Sequence, residues 1–135
     1  MSGSELILTP FEKALQSLQE VLRLEKTPIV RDAAIQRFEY TYELSWKFLR
    51  RWLELEGHPD IAKLPLKEVF RIGAERGLIR DPEAWFRYQQ ARNMTVHTYD
   101  QARAEDVYKV LAAFAADSAD FLNELKKRGV GGPQA

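Results

Sequence analysis

Residues 29–56, IVRDAAIQRFEYTYELSWKFLRRWLELE, decide the fold of this chain. Thr27-Pro28 precedes the stretch and Gly57 follows it, so the sequence predicts one long helix from about Ile29 to Glu56. A helix that is apolar on several faces lies at the centre of its fold or at an interface with a partner. This one has a main apolar side of Ile35, Phe38, Tyr42, Leu49, Trp52 and Leu53, with Leu44, Phe48 and Leu55 on other faces.

One shorter helix is predicted before the long helix and one after it. Thr9-Pro10 followed by Glu12 predicts a start with Thr9 as the N-cap and Glu12 closing a capping box. Leu64-Pro65 opens a short helix that ends near Gly77. Both segments carry apolar residues at the three- and four-residue spacing of a helix with one buried side.

The second half of the chain shows the same kind of signals. Asp81-Pro82 predicts an N-cap followed by proline in the first turn, and Asp100 predicts the cap of a last helix that continues to about Gly129. No alternating apolar pattern typical of strands occurs. The sequence therefore predicts an all-α fold, an antiparallel up-and-down four-helix bundle with one additional short helix.

Length and composition indicate a single globular domain. We assign residues 9–128 to the bundle, 1–8 to an N-terminal extension and 129–135 to a flexible tail. The chain lacks an apolar run of about 18 residues, so no membrane contact is expected, and it lacks cysteine, which fits the reducing cytoplasm. With 20 basic and 20 acidic residues, a basic coat for unspecific nucleic-acid binding is absent, although clusters such as Arg50-Arg51 leave room for a small basic groove.

The candidate site is the stretch RNMTVHTYD, residues 92–100, which places a guanidinium, an imidazole and a phenol within eight residues. An imidazole titrates near neutral pH, so His97 is suited to general acid–base chemistry. It could take the proton of a ribose 2′-hydroxyl, while Arg92 holds the adjacent phosphate and offsets the developing charge. Asn93 could orient the phosphate or the imidazole. This chemistry requires no metal or other cofactor.

Helix geometry limits what one copy of the motif can do. At about 100° per residue, Arg92 and Tyr99 share a face to within about 20°, whereas His97 lies about 140° from Arg92. The two could converge if the helix loosens near the β-branched residues Thr95–Thr98, or if a second chain supplies one of them. A purely structural alternative pairs Arg92 with Asp100 or with a carboxylate of the long helix. In that alternative His97 caps a helix C-terminus and Tyr99 is half-buried with its hydroxyl bonded.

The long helix carries further candidate site and interface residues. Glu39 and Glu43 lie four residues apart, so they share a face and are candidate partners of Arg92 as well as candidate acid–base groups. Tyr40 and Trp46 lie off the main apolar stripe, where a partner interface is the alternative to packing in the core.

Two stretches resemble a known family. Residues 92–99, RNMTVHTY, match the R-x4-H-x-Y signature of HEPN proteins in their HepT-like branch. Residues 38–47, FEYTYELSWK, are similar to the corresponding helix of relatives called nucleotidyltransferase substrate-binding proteins. The resemblance extends over roughly residues 8–128.

The resemblance implies a HEPN bundle that forms a homodimer, with two motifs at a shared cleft. It implies a metal-independent ribonuclease toxin of a toxin–antitoxin pair, with Arg92, His97, Asn93 and Glu43 as catalytic residues and Glu39 as second choice to Glu43. Arg92 and Tyr99 would bind the RNA substrate. The antitoxin would be a minimal nucleotidyltransferase that transfers AMP onto Tyr99. The alternative implied by the same branch is a non-catalytic substrate-binding subunit of a two-chain nucleotidyltransferase.

Overall fold

The computed structural model describes residues 6–129, and within that range the chain forms helices and no strands. The predicted all-α bundle is confirmed. None of the helices in the described range is long and apolar enough to cross a membrane. The α-helices are α1 (Thr9–Leu22), α2 (Pro28–Leu55), α3 (Leu66–Glu75), α4 (Pro82–Met94), α5 (Gln101–Tyr108) and α6 (Leu111–Lys127), with short 3-10 turns at Ile61–Lys63 and Thr95–His97.

The long helix α2 is the centre of the bundle and contacts each of the other five α-helices. It begins where the sequence indicates, because the Thr27 side chain accepts a hydrogen bond from the Val30 amide at 3.1 Å. Its C-terminal half lies very close to α3. A Cβ added to Gly73 would lie 3.0 Å from the Leu49 methyl groups, so a larger residue at position 73 would require the Leu49 side chain to move.

Aromatic rings fill the core between α2, α4 and α6. The ring of Phe114 lies at the middle, with centroids 5.0 Å from Phe38, 5.3 Å from Tyr88 and 5.7 Å from Trp85, all in edge-to-face arrangements. The Tyr88 hydroxyl donates a hydrogen bond to the Asp117 carboxylate. Burial and then this bond raise the pKa of Tyr88 above its ordinary value, so the phenol stays neutral. These contacts fix the position of α4, which leads into residues 92–100.

The predicted start of α1 is wrong. Thr9 is not the N-cap: it is already helical, and Leu8 holds the cap position without a side-chain hydrogen bond. The physical reason is packing, because Leu6 and Leu8 are buried in the core and bring the chain into α1 earlier than the capping pattern indicates. The other residues of the predicted extension and tail, 1–5 and 130–135, lie outside the described residues.

The predicted last helix is divided into α5 and α6. Its predicted cap is confirmed, since the Asp100 side chain accepts a hydrogen bond from the Ala102 amide at 2.9 Å. Lys109 and Val110 separate the two helices but keep right-handed helical dihedral angles, and the Val110 amide bonds to the Val107 carbonyl at 3.1 Å. The helix is therefore bent rather than broken, so that α5 packs on α2 and α4 while α6 packs on α1 and α2.

Candidate active site

Arg92, in the last turn of α4, is held by residues on two helices. Its Nε lies 3.4 Å from Glu43 Oε2, and its Nη1 lies 3.7 Å from Glu39 Oε2. Nη1 also donates a hydrogen bond to Thr95 Oγ1 at 3.1 Å. About a third of the Arg92 side chain remains exposed (31%). The guanidinium is therefore fixed in place and still accessible from solvent.

The two glutamates form a clamp on one face of α2, as their four-residue spacing predicts. Both contact Arg92, and Glu43 is the nearer of the two. The Arg92 Nε is within ion-pair distance of Glu43 but is not oriented for a hydrogen bond, so its N–H is unbonded within the described range. One cation beside two carboxylates has a formal charge of −1, so this cluster alone does not favour an incoming phosphate.

Thr95 links the clamp to the end of α4. Its side chain is buried, and its Oγ1 lies 2.7 Å from both Glu39 Oε2 and the Arg92 carbonyl oxygen, the two acceptors available to the hydroxyl proton. From the sequence, Thr95 is expected only to weaken the helix. The sequence signal for its contact with Arg92 is the spacing: a hydroxyl three residues after Arg92 is close enough to bond to the preceding turn.

Tyr42 precedes Glu43 on α2, and the sequence predicts it in the core. It is fully buried, and its hydroxyl has no hydrogen-bond partner within residues 6–129. Burial raises its pKa above the ordinary value; the Glu43 carboxylate adds to the shift and Arg92 opposes it. The Tyr42 phenol is therefore neutral.

His97 and Tyr99 lie on the surface just after α4. Helix α4 ends at Met94, and the 3-10 turn Thr95–His97 brings the imidazole Nδ1 to 3.3 Å from the Tyr99 hydroxyl. The two rings are nearly perpendicular, with centroids 5.9 Å apart. His97 is exposed, and Tyr99 is 82% exposed. The alternatives in which His97 caps a helix and Tyr99 is half-buried are therefore wrong.

The loosening of the helix does not bring Arg92 and His97 together in one chain. No hydrogen bond or ion pair formed by residues 6–129 joins the two side chains. The alternative pairing of Arg92 with Asp100 is also wrong, because Asp100 caps α5 and lies 3.9 Å from Arg103. Asn93 is exposed beside Arg92. The motif thus consists of an anchored guanidinium and a separate, exposed imidazole–phenol pair.

A groove of about 530 Å³ lies away from the motif, between the α3–α4 connection at residues 77–80 and the C-terminal half of α6, and no motif residue lines it. Its charged side chains are largely engaged with one another, as in the pair of Arg80 Nε and Asp120 Oδ2 at 3.3 Å. We therefore place the candidate site at residues 92–99 on grounds of chemistry. Over residues 6–129, no group of three or more His, Cys, Asp or Glu side chains is placed to hold a metal ion.

The fold and the motif define the class of this chain: an all-helical bundle with an Arg-x4-His-x-Tyr motif at the end of α4 and a glutamate pair facing it from α2. Residues 6–127 match the family described as nucleotidyltransferase substrate binding protein like. The chain belongs to this family, and its resemblance to the HepT-like branch is confirmed.

Individual relatives agree with this assignment. The chain is 39% identical over 97 residues to the probable ribonuclease HepT of Haemophilus influenzae; the match covers 70% of this chain and 66% of the relative, just under two thirds of its length. A solved protein of Thermus thermophilus superposes with a TM-score of 0.76 at 39% identity, covering 85% of this chain and 98% of that one. A Haemophilus influenzae structure, described as the fold of a substrate binding domain of a nucleotidyltransferase, gives a TM-score of 0.81 at 31% identity, covering 88% and 98%.

Proposed function

We propose that this protein is a ribonuclease that cleaves RNA without a metal ion, with His97 as general acid–base and Arg92 as the group that holds the phosphate. The observation that carries the proposal is the exposed imidazole beside a phenol, one turn beyond a guanidinium that the fold holds in place. The similarity to a protein named probable ribonuclease HepT supports it. RNA as substrate agrees with a cytoplasmic location.

The orientation of His97 suits a general base. When Nδ1 carries the proton and donates it to the Tyr99 oxygen, Nε2 presents a lone pair to solvent. Nε2 takes the proton of a ribose 2′-hydroxyl, and the 2′-oxygen attacks the adjacent phosphorus. The bond from phosphorus to the 5′-oxygen breaks, and an imidazolium returns a proton to that oxygen. The products are a 2′,3′-cyclic phosphate and a 5′-hydroxyl, and Arg92 offsets the charge on the phosphate.

We propose further that the working unit is a homodimer. Arg92 and His97 are not in contact within one chain, and two copies facing each other across a two-fold axis would bring the guanidinium of one to the imidazole of the other. Exposed apolar surface beside the motif supports this arrangement, because Val96 is 66% and Tyr99 82% exposed.

The test of the ribonuclease proposal compares the purified, unmodified protein with its His97→Ala variant, both with a chelator present. We expect cleavage to fall by about 100-fold or more, because general acid–base catalysis contributes about that much. The thermal midpoint should not change, since His97 is exposed. Equal cleavage by the two proteins would contradict the assignment of His97.

We propose that Tyr99 is the point of regulation by a minimal nucleotidyltransferase partner, as in a toxin–antitoxin pair. The exposed phenol oxygen would attack the α-phosphorus of ATP, lose its proton and release pyrophosphate, which leaves AMP on Tyr99. The new phosphodiester anion would compete with RNA phosphate beside His97 and Arg92. A Tyr99→Phe variant should cleave RNA and escape silencing by the partner. AMP found by mass spectrometry on another residue, with silencing intact in Tyr99→Phe, would contradict this.

The alternative function is a non-catalytic subunit that presents substrate to a nucleotidyltransferase. The observation in its favour is the solved relative described as a substrate binding domain of a nucleotidyltransferase, together with the description of the family. It predicts a stable complex with the partner and no cleavage by protein whose Tyr99 is shown by intact mass to be free of AMP. Cleavage that depends on His97 would exclude it.

A further inference from the structure

The face of α2 that holds the Arg92 clamp continues beyond it. Glu39, Glu43, Trp46 and Arg50 follow one another at spacings of four, three and four residues, so they form one stripe along the helix. The Trp46 ring is half-buried. The Arg50 guanidinium lies over it at 4.8 Å from the ring centre, and the Lys47 Nζ lies 5.7 Å from that centre.

The two halves of this stripe carry opposite charge. At the clamp, two carboxylates face one guanidinium. Further along, neither Lys47 nor Arg50 takes part in any ion pair formed by residues 6–129, whereas the neighbouring Arg51 lies 3.4 Å from Glu54. The positive charge at Trp46 is therefore not neutralised within the described part of the chain.

We propose that Trp46 and Arg50 form a binding site for a nucleotide of single-stranded RNA that flanks the scissile phosphate; the proposal rests on the ribonuclease function above. A base stacks on the guanidinium that lies over the ring, or displaces it and stacks on the ring itself, and its phosphate pairs with Arg50 and Lys47. Trp46 lies about 5 Å along the helix axis from Glu43, and Arg50 about 10 Å, which is the reach of one or two nucleotides. The site would supply the attraction for phosphate that the clamp lacks.

The chemistry of the patch favours RNA over a protein partner. The centres of protein–protein interfaces are depleted of lysine, and a buried cation without a carboxylate is costly there. A nucleotide offers both of the groups that this patch can recognise, a π-face and an anion, on the same molecule. A dimer or partner interface at Trp46 is a distinct outcome of the test below.

The first measurement is the binding of a short single-stranded RNA to protein carrying His97→Ala, which prevents turnover. We expect Trp46→Ala to weaken binding about tenfold, the order of magnitude of one base–aromatic stack. Arg50→Gln should weaken binding and reduce the slope of log Kd against log salt concentration by about one, because one phosphate contact is lost. Arg51→Gln is the matched control: it removes the same charge one residue away, from an arginine already paired with Glu54, and should leave binding almost unchanged.

The second measurement asks whether a base is what Trp46 recognises. An RNA with an abasic sugar beside the cleavage position should bind about tenfold more weakly than the intact RNA when Trp46 is present, and no more weakly when residue 46 is alanine. Equal loss in both proteins would overturn the proposal. Normal RNA binding by Trp46→Ala would also overturn it. A change of oligomeric state in sedimentation, with normal RNA binding by each protomer, would overturn it in favour of an interface at Trp46.

The outcomes separate this proposal from the one on which it rests. If Trp46→Ala, with His97 intact, cleaves RNA at an unchanged kcat/KM, the stacking site is wrong and the ribonuclease remains. If wild-type protein free of AMP neither cleaves nor binds RNA, both are wrong. If circular dichroism shows that Trp46→Ala does not fold, two measurements that keep the Trp46 ring in the bundle test the proposal instead. These are RNA binding by Arg50→Gln and the binding of abasic RNA to protein that retains Trp46.

Discussion

Arg92 and His97 belong to the same short motif, but the fold treats them differently. Arg92 contacts Glu39, Glu43 and Thr95 and keeps 31% of its side chain exposed. The side chain of His97 contacts that of Tyr99, which is likewise exposed. One half of the proposed catalytic pair is thus built into the bundle, and the other lies on its surface. The difference teaches that residues close together in the motif need not pair with each other in the folded chain, since Arg92 and His97 bond to different partners.

The largest effect on stability and cleavage should come from removing the guanidinium of Arg92, the residue of the motif that is held by the bundle. Arg92→Met would leave Glu39 and Glu43 facing each other without a cation, so we expect the free energy of unfolding to fall by about 1–2 kcal/mol. Cleavage should fall by about 100-fold or more, because a group that stabilises transition-state charge is lost. Denaturant melts and cleavage rates check both. His97→Ala is the matched control, since it should lose cleavage alone; equal stability of the two variants would contradict the comparison.

A smaller effect should follow from loosening the anchor without removing it. Thr95→Val replaces the hydroxyl that bonds Arg92 and Glu39 with a methyl group of similar size. We expect a loss of about 1 kcal/mol in stability, the net value of a typical hydrogen bond, and a lower kcat than wild type. Thr95→Ser keeps the hydroxyl and should recover most of both. If serine and valine behave alike, the hydroxyl does not position Arg92.

The smallest effect on stability is expected in α5, the helix that follows the exposed residues His97 and Tyr99. Glu105 of α5 accepts hydrogen bonds from Lys26 and Arg31, and these hold its pKa below the ordinary value of 4.5. A carboxyl whose pKa is lowered in the folded state adds stability above its unfolded pKa and loses it as pH falls through the folded one. Glu105→Gln should therefore be slightly less stable than wild type at neutral pH, and the difference should shrink as the pH falls below about 4.5. A difference independent of pH would contradict this.

The features that the sequence could predict are those governed by local rules. The extent of α2 follows from its apolar periodicity and from Thr27-Pro28, and the caps at Asp81 and Asp100 are confirmed by their hydrogen bonds to backbone amides. The glutamate pair was found for the same reason, because residues four apart on a helix must share a face.

Other features depend on contacts between elements and escaped prediction. No glycine or proline marks the bend at Lys109–Val110; both helices pack on α2, but α5 also packs on α4 whereas α6 also packs on α1. The displaced start of α1 follows from the burial of Leu8. The part played by Thr95 depends on where α4 ends relative to α2, which spacing within one helix does not specify.

The central claim, that the pair works across two chains, has a direct test by mixing inactive variants. Arg92→Gln and His97→Ala proteins are unfolded together, refolded as a mixture and assayed for RNA cleavage. If Arg92 of one chain acts with His97 of the other, activity should return to about a quarter of wild type, because half of the dimers are mixed and each mixed dimer has one intact pair. A mixture as inactive as its components, with mixed dimers shown to be present, would contradict the account.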